Sequence, residues 1–180
     1  MRILFVTPSL PVPTSGGRSR VYNLIKHLSA CHEITVLSFL QPSDREWLPM
    51  LEPYCTHIEL VPFAGFKPPG KWANRIRGWR RILFSRRPRH VATFPVFSMR
   101  SAFGELLRLQ AFDLIVFECL YLVELLDGVD HVPAILIEQN VESGIIERSF
   151  RKTHHPIHKL RDWLMWRKLL RFETHWVRRF

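Results

Sequence analysis

Cysteine is scarce: the 180 residues hold three, Cys31, Cys55 and Cys119, scattered along the chain and odd in number. They fit neither a disulfide framework nor a zinc site, so a reducing cytoplasm is the simplest expectation. Long apolar runs are lacking too. No stretch approaches the ~20 apolar residues that a membrane span requires. At the N-terminus only Ile3 to Val6 are continuously apolar, too few for the ~7–15-residue core of a signal peptide. Acid is lacking where base is densest. Residues 67–100 hold ten of the 26 Lys and Arg and no Asp or Glu, and residues 151–180 hold nine more against two acids. The total is +10, so the remaining body is net acidic and carries two basic appendages. Such patches favour polyanions: nucleic acid, anionic lipid or phosphate-bearing ligands.

What is present is a periodic, 47% apolar chain of one-domain length. RILFVT (2–7) reads as a buried strand ended by Pro8. From residue 18, Val21, Leu24, Ile25 and Leu28 make one apolar helical face. Further strands are expected over 33–39, 57–62, 113–117 and 134–138. A short helix is expected over 43–52, capped by Ser43 or Asp44. Residues 68–110 read as a helical insertion interrupted by prolines. A long helix runs from about 157, with Leu160, Trp163, Trp166, Leu170 and Val177 near one face, a face more typical of core or domain interface than of a membrane surface. Strands that alternate with helices, several of them wholly apolar, predict an α/β fold: a Rossmann-like parallel sheet with helices on both faces. Ligands of such folds bind beyond the carboxyl ends of the strands. The loops after Thr7, Phe117 and Glu138 are therefore the places to inspect.

The first loop, PSLPVPTSGGRSR, breaks the strand with three prolines and opens a helix on Gly16-Gly17-Arg18. Glycines permit close approach of a ligand, and the helix start offers free amides to phosphate. Arg18 and Arg20 add full charge. A plain turn with a solvated helix start is the equally weighted alternative. Neither G-x-G-x-x-G nor a P-loop Lys-Ser/Thr is present.

The stretch MRILFVTPSLPVPTSGGRSRVYNLIKHLSACHEITVLSF resembles the start of a family 4 glycosyltransferase of the retaining, GT-B type. SRRPRHVATF, FDLIVFE, PAILIEQNVES and KLLRFETHWVRRF resemble later segments of that family's N-terminal domain, in the family's order. The resemblance spans nearly the whole chain. It implies an acceptor-side domain over 1–180, with a basic helical insertion at about 67–110. It also implies a second, donor-binding domain outside this sequence, which would carry most nucleotide contacts. The implied reaction moves a hexose from a nucleotide-sugar to a glycan or lipid-linked acceptor, with no metal and no cofactor. In the family, retention is explained by same-face attack, the leaving diphosphate helping to deprotonate the acceptor.

The same resemblance assigns Gly16, Gly17 and Arg18 to the cleft near donor diphosphate and acceptor. Glu118 follows the fourth strand as a cleft-facing acid for a sugar hydroxyl, or else a helix cap. Gln139, Asn140 and Glu142 follow the fifth strand. Family members often carry His at the position of Gln139, and Gln binds a hydroxyl but takes up no proton at neutral pH. Asn140 and Glu142 alternatively cap the next helix and oppose its dipole.

Trp72, Arg75, Trp79, Arg80 and Arg81 belong to a basic amphipathic pattern suited to an anionic membrane. That predicts a peripheral position on a cytoplasmic membrane face. His154, His155 and His158 match no metal spacing, with Pro156 between them. The rival reading is a non-catalytic basic module for anionic membrane or nucleic acid. No nucleic-acid module signature is present, so no nucleic-acid partner is expected. A dehydrogenase is disfavoured by the missing dinucleotide fingerprint and by the lack of an acid at the end of the second strand.

Overall fold

The structure is a computed structural model that describes all residues except 15, 64–86, 89, 90, 92 and 93. Trp72, Arg75, Trp79, Arg80 and Arg81 lie outside the described residues. The chain divides into two compact units, 1–65 with 95–139, and 66–94 with 140–180.

The first unit is a five-stranded parallel sheet with order β3-β2-β1-β4-β5. The strands are β1 (Arg2–Thr7), β2 (Glu33–Leu40), β3 (His57–Pro62), β4 (Leu114–Phe117) and β5 (Ala134–Leu136). Alternation sorts their side chains between two cores. Ile3, Phe5, Ile34, Val36 and Val116 pack with Val21, Tyr22 and Ile25 of α1 (Gly16–Leu28). Leu4, Val6, Leu37, Phe39, Ile115 and Phe117, equally buried, face the opposite layer. There Phe103 of the helix Val96–Leu109, α3 in chain order, meets Phe117 with ring centroids 6.1 Å apart. This is the doubly wound, Rossmann-like arrangement. The described end of the predicted insertion is thus the crossover helix between β3 and β4.

Three sequence expectations need correction. The helix expected over 43–52 is a 3₁₀ turn (Pro42–Trp47), one α turn, α2 (Leu48–Leu51), and a second 3₁₀ turn (Glu52–Tyr54). Pro49, in the middle of the expected span, removes an amide a continuous helix would need, and Pro53 stands just past its end. Its first residue is preceded by Gln41 with no side-chain cap, and Asp44 is buried for another purpose, described below. The fifth strand stops at Leu136, two residues early.

The third correction concerns the second unit, where α4 (Glu142–Lys152) packs along α5 (Pro156–Val177). The buried residues of α5 are Asp162, Leu169, Glu173 and Trp176, while Leu160, Trp163 and Val177 are exposed. Of the expected face, Trp166 and Leu170 are half-buried, so the hydrophobic pattern located the packed side only in part. Two acids are tolerated inside because each is hydrogen-bonded. Glu173 accepts from the Glu142 amide at 2.9 Å and from the Ser143 hydroxyl. Asp162 accepts from the Thr153 hydroxyl at 3.0 Å and from Arg161 at 2.8 Å. Phe150 stacks on Trp166 beside them.

Candidate functional site

In the first unit the chain reverses its direction of winding at β1, which pairs with β2 on one side and β4 on the other. The crevice beyond the carboxyl ends of such strands is where open α/β sheets bind ligands. Thr7, Glu118 and Gln139 stand at or just beyond those ends. Phe5 and Val116 are register partners on the α1 side of the sheet. The Glu118 amide continues that pairing by donating to the Val6 carbonyl at 3.0 Å. By alternation Thr7 and Glu118 face the α1 side as well.

The proline-rich loop between β1 and α1 does not simply arch over this crevice. Leu10 and Val12 are buried in the α1-side core. Arg18 fastens them: its Nε donates to the Leu10 carbonyl at 2.8 Å, and its guanidinium pairs with Asp44 at 3.0 Å. Asp44 thus supplies the buried counter-charge on which the loop closes. Arg18, expected to reach a diphosphate, has its guanidinium engaged in this clasp, while Arg20, two residues on, is exposed.

The two glycines have different reasons to be there. Gly16 has φ +43° with open space around it, so its requirement is backbone conformation, worth ~1–2 kcal/mol against a residue with a Cβ. Gly17 has ordinary helical φ, yet a Cβ there would overlap the side-chain amide of Gln139. The close approach that Gly17 permits is made by another part of the protein.

Gln139 carries this amide from the end of β5 to Glu118, donating from Nε2 to Oε1 at 2.8 Å. Glu118 is buried, at 6% exposure, whereas Gln139 is exposed. The carboxyl therefore lies beneath a solvent-facing amide, and that amide lies against the first turn of α1. Burial pushes the Glu118 carboxyl up to about 7, against the opposing influence of the Gln139 bond and of Arg20 and Arg18. At neutral pH it divides between a form that only accepts hydrogen bonds and one that also donates. Thr7 Oγ1, fully buried on the same face, has no hydrogen-bond partner among the described residues. Burial pushes the thiol of Cys119, next to Glu118, up to about 12, which favours the protonated form at neutral pH.

The arrangement offers an amide, a near-neutral carboxyl, a buried hydroxyl and an exposed arginine at one switch point. That set suits recognition of a hydroxyl-rich ligand. Sequence reasoning missed Thr7 and Asp44. Thr7 ends an apolar strand, a signal that was available. Asp44 was hidden behind an apparent cap.

Asn140 and Glu142 belong to the second unit. Neither serves as a side-chain cap of α4, whose N-cap is Val141. That role falls to Glu173 of α5, thirty-one positions from Glu142 in the chain. Among the described residues, no group of three or more His, Cys, Asp or Glu is placed to hold a metal ion. None of the described helices is long and apolar enough to cross a membrane.

No family model matches the chain, and no curated protein matches it. Solved structures do. The C-terminal domain (residues 78–226) of PF1911 hydrogenase from Pyrococcus furiosus is similar over 76% of this chain and 89% of its own, at 15% identity and TM-score 0.50. Arabidopsis thaliana UGT89C1, solved with UDP, is similar over 87% of this chain but 40% of its own, at 15% identity and TM-score 0.43. A ugt transferase from Siraitia grosvenorii, also solved with UDP, has 13% identity and TM-score 0.38, covering 84% of this chain and 28% of its own. At these identities the likeness concerns the fold alone.

Proposed function

We infer that the chain is the acceptor-side domain of a retaining GT-B glycosyltransferase. It would work with a donor-binding domain to move a hexose from a nucleotide-sugar to a glycan or lipid-linked acceptor, in cell-surface polysaccharide synthesis. The observation that carries this reading is the contact of Gln139 with Gly17 and Glu118 at the switch point of the sheet. It gives a physical reason for the glycine at residue 17, and it joins three of the positions that the family resemblance assigns to the cleft.

In this reading Gln139 and Glu118 hold hydroxyl groups of the acceptor. Gln139 takes up no proton, and the pair's contribution is orientation, which converts an encounter between two substrates into a reaction within one complex. Arg20 and the first amides of α1 face the negative charge that develops on the leaving diphosphate. Deprotonation of the acceptor is left to that diphosphate, so no protein base and no metal is required.

The test is nucleoside diphosphate release by the native gene product over a panel of UDP-, GDP- and ADP-sugars with oligosaccharide or polyprenyl-linked acceptors. Release with one donor, lowered about tenfold or more in Glu118→Ala and Gln139→Ala, supports the reading. No release with any donor, or release indifferent to both variants, contradicts it.

A further inference from the structure

A short polar row crosses the carboxyl edge of the sheet on its α1 side. Thr7 of β1 and Ser38 of β2 are register partners. Glu118 follows the Val6–Phe117 pair and so stands on the other flank of Thr7. Thr7 and Ser38 are completely buried and Glu118 nearly so. Leu60 and Ile137, packed on the α1-side core, bound the row at either end. Three adjacent polar side chains within an apolar layer are costly unless they serve one another. Their bonding differs. The Ser38 hydroxyl donates to the Phe39 carbonyl at 3.1 Å, so its proton is committed and its oxygen can only accept. Glu118 accepts from Gln139 on Oε1, which leaves Oε2 for another donor. Thr7 Oγ1 has no partner among the described residues. It therefore holds the uncommitted hydroxyl proton of the row, between two acceptors. Adjacent strands lie ~4.8 Å apart, a span that a hydroxyl and a carboxyl close directly or through one water. Of the two acceptors an ionised carboxylate wins, since charge-assisted hydrogen bonds are about twice as strong as neutral ones.

We propose that Thr7 is a positioning residue for Glu118: its hydroxyl donates to Oε2 of the ionised carboxyl while Gln139 holds Oε1. A donor at each oxygen fixes the plane of the group and favours its charged form where water is largely excluded. Thr7, being fully buried, acts on any ligand only through Glu118. The charges that face Glu118 from α1 are Arg20 and Arg18, which also favour ionisation, and Arg18 is itself paired with Asp44. From the ends of β4 and β5 come the Cys119 thiol and Glu138, which act on each other and, for the thiol, on Glu118. None of these groups is altered by a substitution at Thr7, so a shift that follows one belongs to the Thr7 hydroxyl. The proposal concerns the carboxyl itself and needs no glycosyl transfer, so it stands or falls separately from that reading.

The test is a pH titration of the whole protein with carbon-13-labelled glutamate, following the Glu118 side-chain carboxyl by NMR in wild type, Thr7→Val and Thr7→Ser. The resonance is assigned by its absence from Glu118→Gln. Valine keeps the branched shape of threonine and removes only the hydroxyl. The Glu118 midpoint is expected to rise by about one pH unit in Thr7→Val, an acid about tenfold weaker, and to return to the wild-type value in Thr7→Ser. A role confined to packing would change the denaturation midpoint of Thr7→Val and leave the titration where it was. A readout in the unaltered protein accompanies the variants. The Thr7 methyl resonance is expected to move with the Glu118 midpoint, while that of Thr35, buried beside Leu4 on the opposite face of the sheet, stays still. An unchanged or lowered midpoint in Thr7→Val overturns the proposal. So does a Thr7→Ser protein that titrates like Thr7→Val, or a Thr7 methyl that ignores the titration of Glu118.

Discussion

Gly17 lacks a side chain at the point where the amide of Gln139 rests, so a Cβ there would collide with that amide in its present position. The same amide donates to Glu118. Three segments distant in sequence, the first loop and the ends of β4 and β5, are thereby fixed at the sheet's switch point. A Gly17→Ala protein must move Gln139 aside. Because that side chain is exposed and flexible at its end, the loss of stability is expected to be small, about 1 kcal/mol for the lost hydrogen bond. The loss of turnover is expected to be larger, about ten- to hundredfold from misplacing the acceptor. Urea denaturation and turnover measured on the same preparation check this. A variant that unfolds but turns over normally when folded would disprove the role.

The Glu118 carboxyl gives stability a definite pH dependence. Burial raises its pKa in the folded state to about 7 from an ordinary 4.5. The folded protein therefore holds a proton that the unfolded chain has released. Its contribution is complete below 4.5 and is lost as pH rises through the interval to about 7. The loss is on the order of 3 kcal/mol. Glu118→Gln removes the ionisation, so it is expected to be more stable than wild type at mildly alkaline pH and about equal at acid pH. Denaturation midpoints of both proteins across this interval decide it; parallel pH profiles would show that Glu118 does not titrate in this way.

Arg18 is expected to matter more for folding than for ligand. Arg18→Ala strands the buried Asp44 carboxylate and leaves the Leu10 carbonyl without its donor. With Arg18 partly exposed to solvent, the expected cost is about 2–4 kcal/mol. Arg18→Ala and Asp44→Ala together are expected to cost less than their sum, since each alone leaves a partner unpaired. Chemical denaturation of the two single variants and the double variant closes that cycle.

In the second unit Glu173 caps α4 from the neighbouring helix. Glu173→Ala is expected to lower stability by about 1–2 kcal/mol, the range of a lost helix cap. Hydrogen exchange is the sharper readout. The Glu142 amide should exchange faster in the variant, while amides of β1 and β2 keep their protection.

The sheet was legible because β1, β2 and β4 are short apolar runs buried on both faces, and such runs read as parallel strands without any tertiary knowledge. Gly17, Glu118 and Gln139 were legible as strand-end residues. Their mutual contact was not, since Gln139 meets Gly17 from more than a hundred positions away and reaches Glu118 across the whole β4–β5 connection. The α5 face was read only in part, Trp166 and Leu170 being half-buried, because hydrophobic periodicity assumes that acids point to water. Asp162 and Glu173 point inward, where Thr153, Arg161, Ser143 and the Glu142 amide receive them. Asp44 was misread for a related reason: a local cap and a distant ion-pair partner look alike in a sequence.

The most direct test of the central claim is saturation-transfer difference NMR of the chain with a panel of hexoses and oligosaccharides, wild type against Glu118→Ala. The account predicts saturation of hexose ring protons in the wild type, with the strongest effects on one edge of the sugar, and its loss in the variant while the amide spectrum of the fold persists. Saturation that is equal in both proteins, or absent for every saccharide, would contradict it.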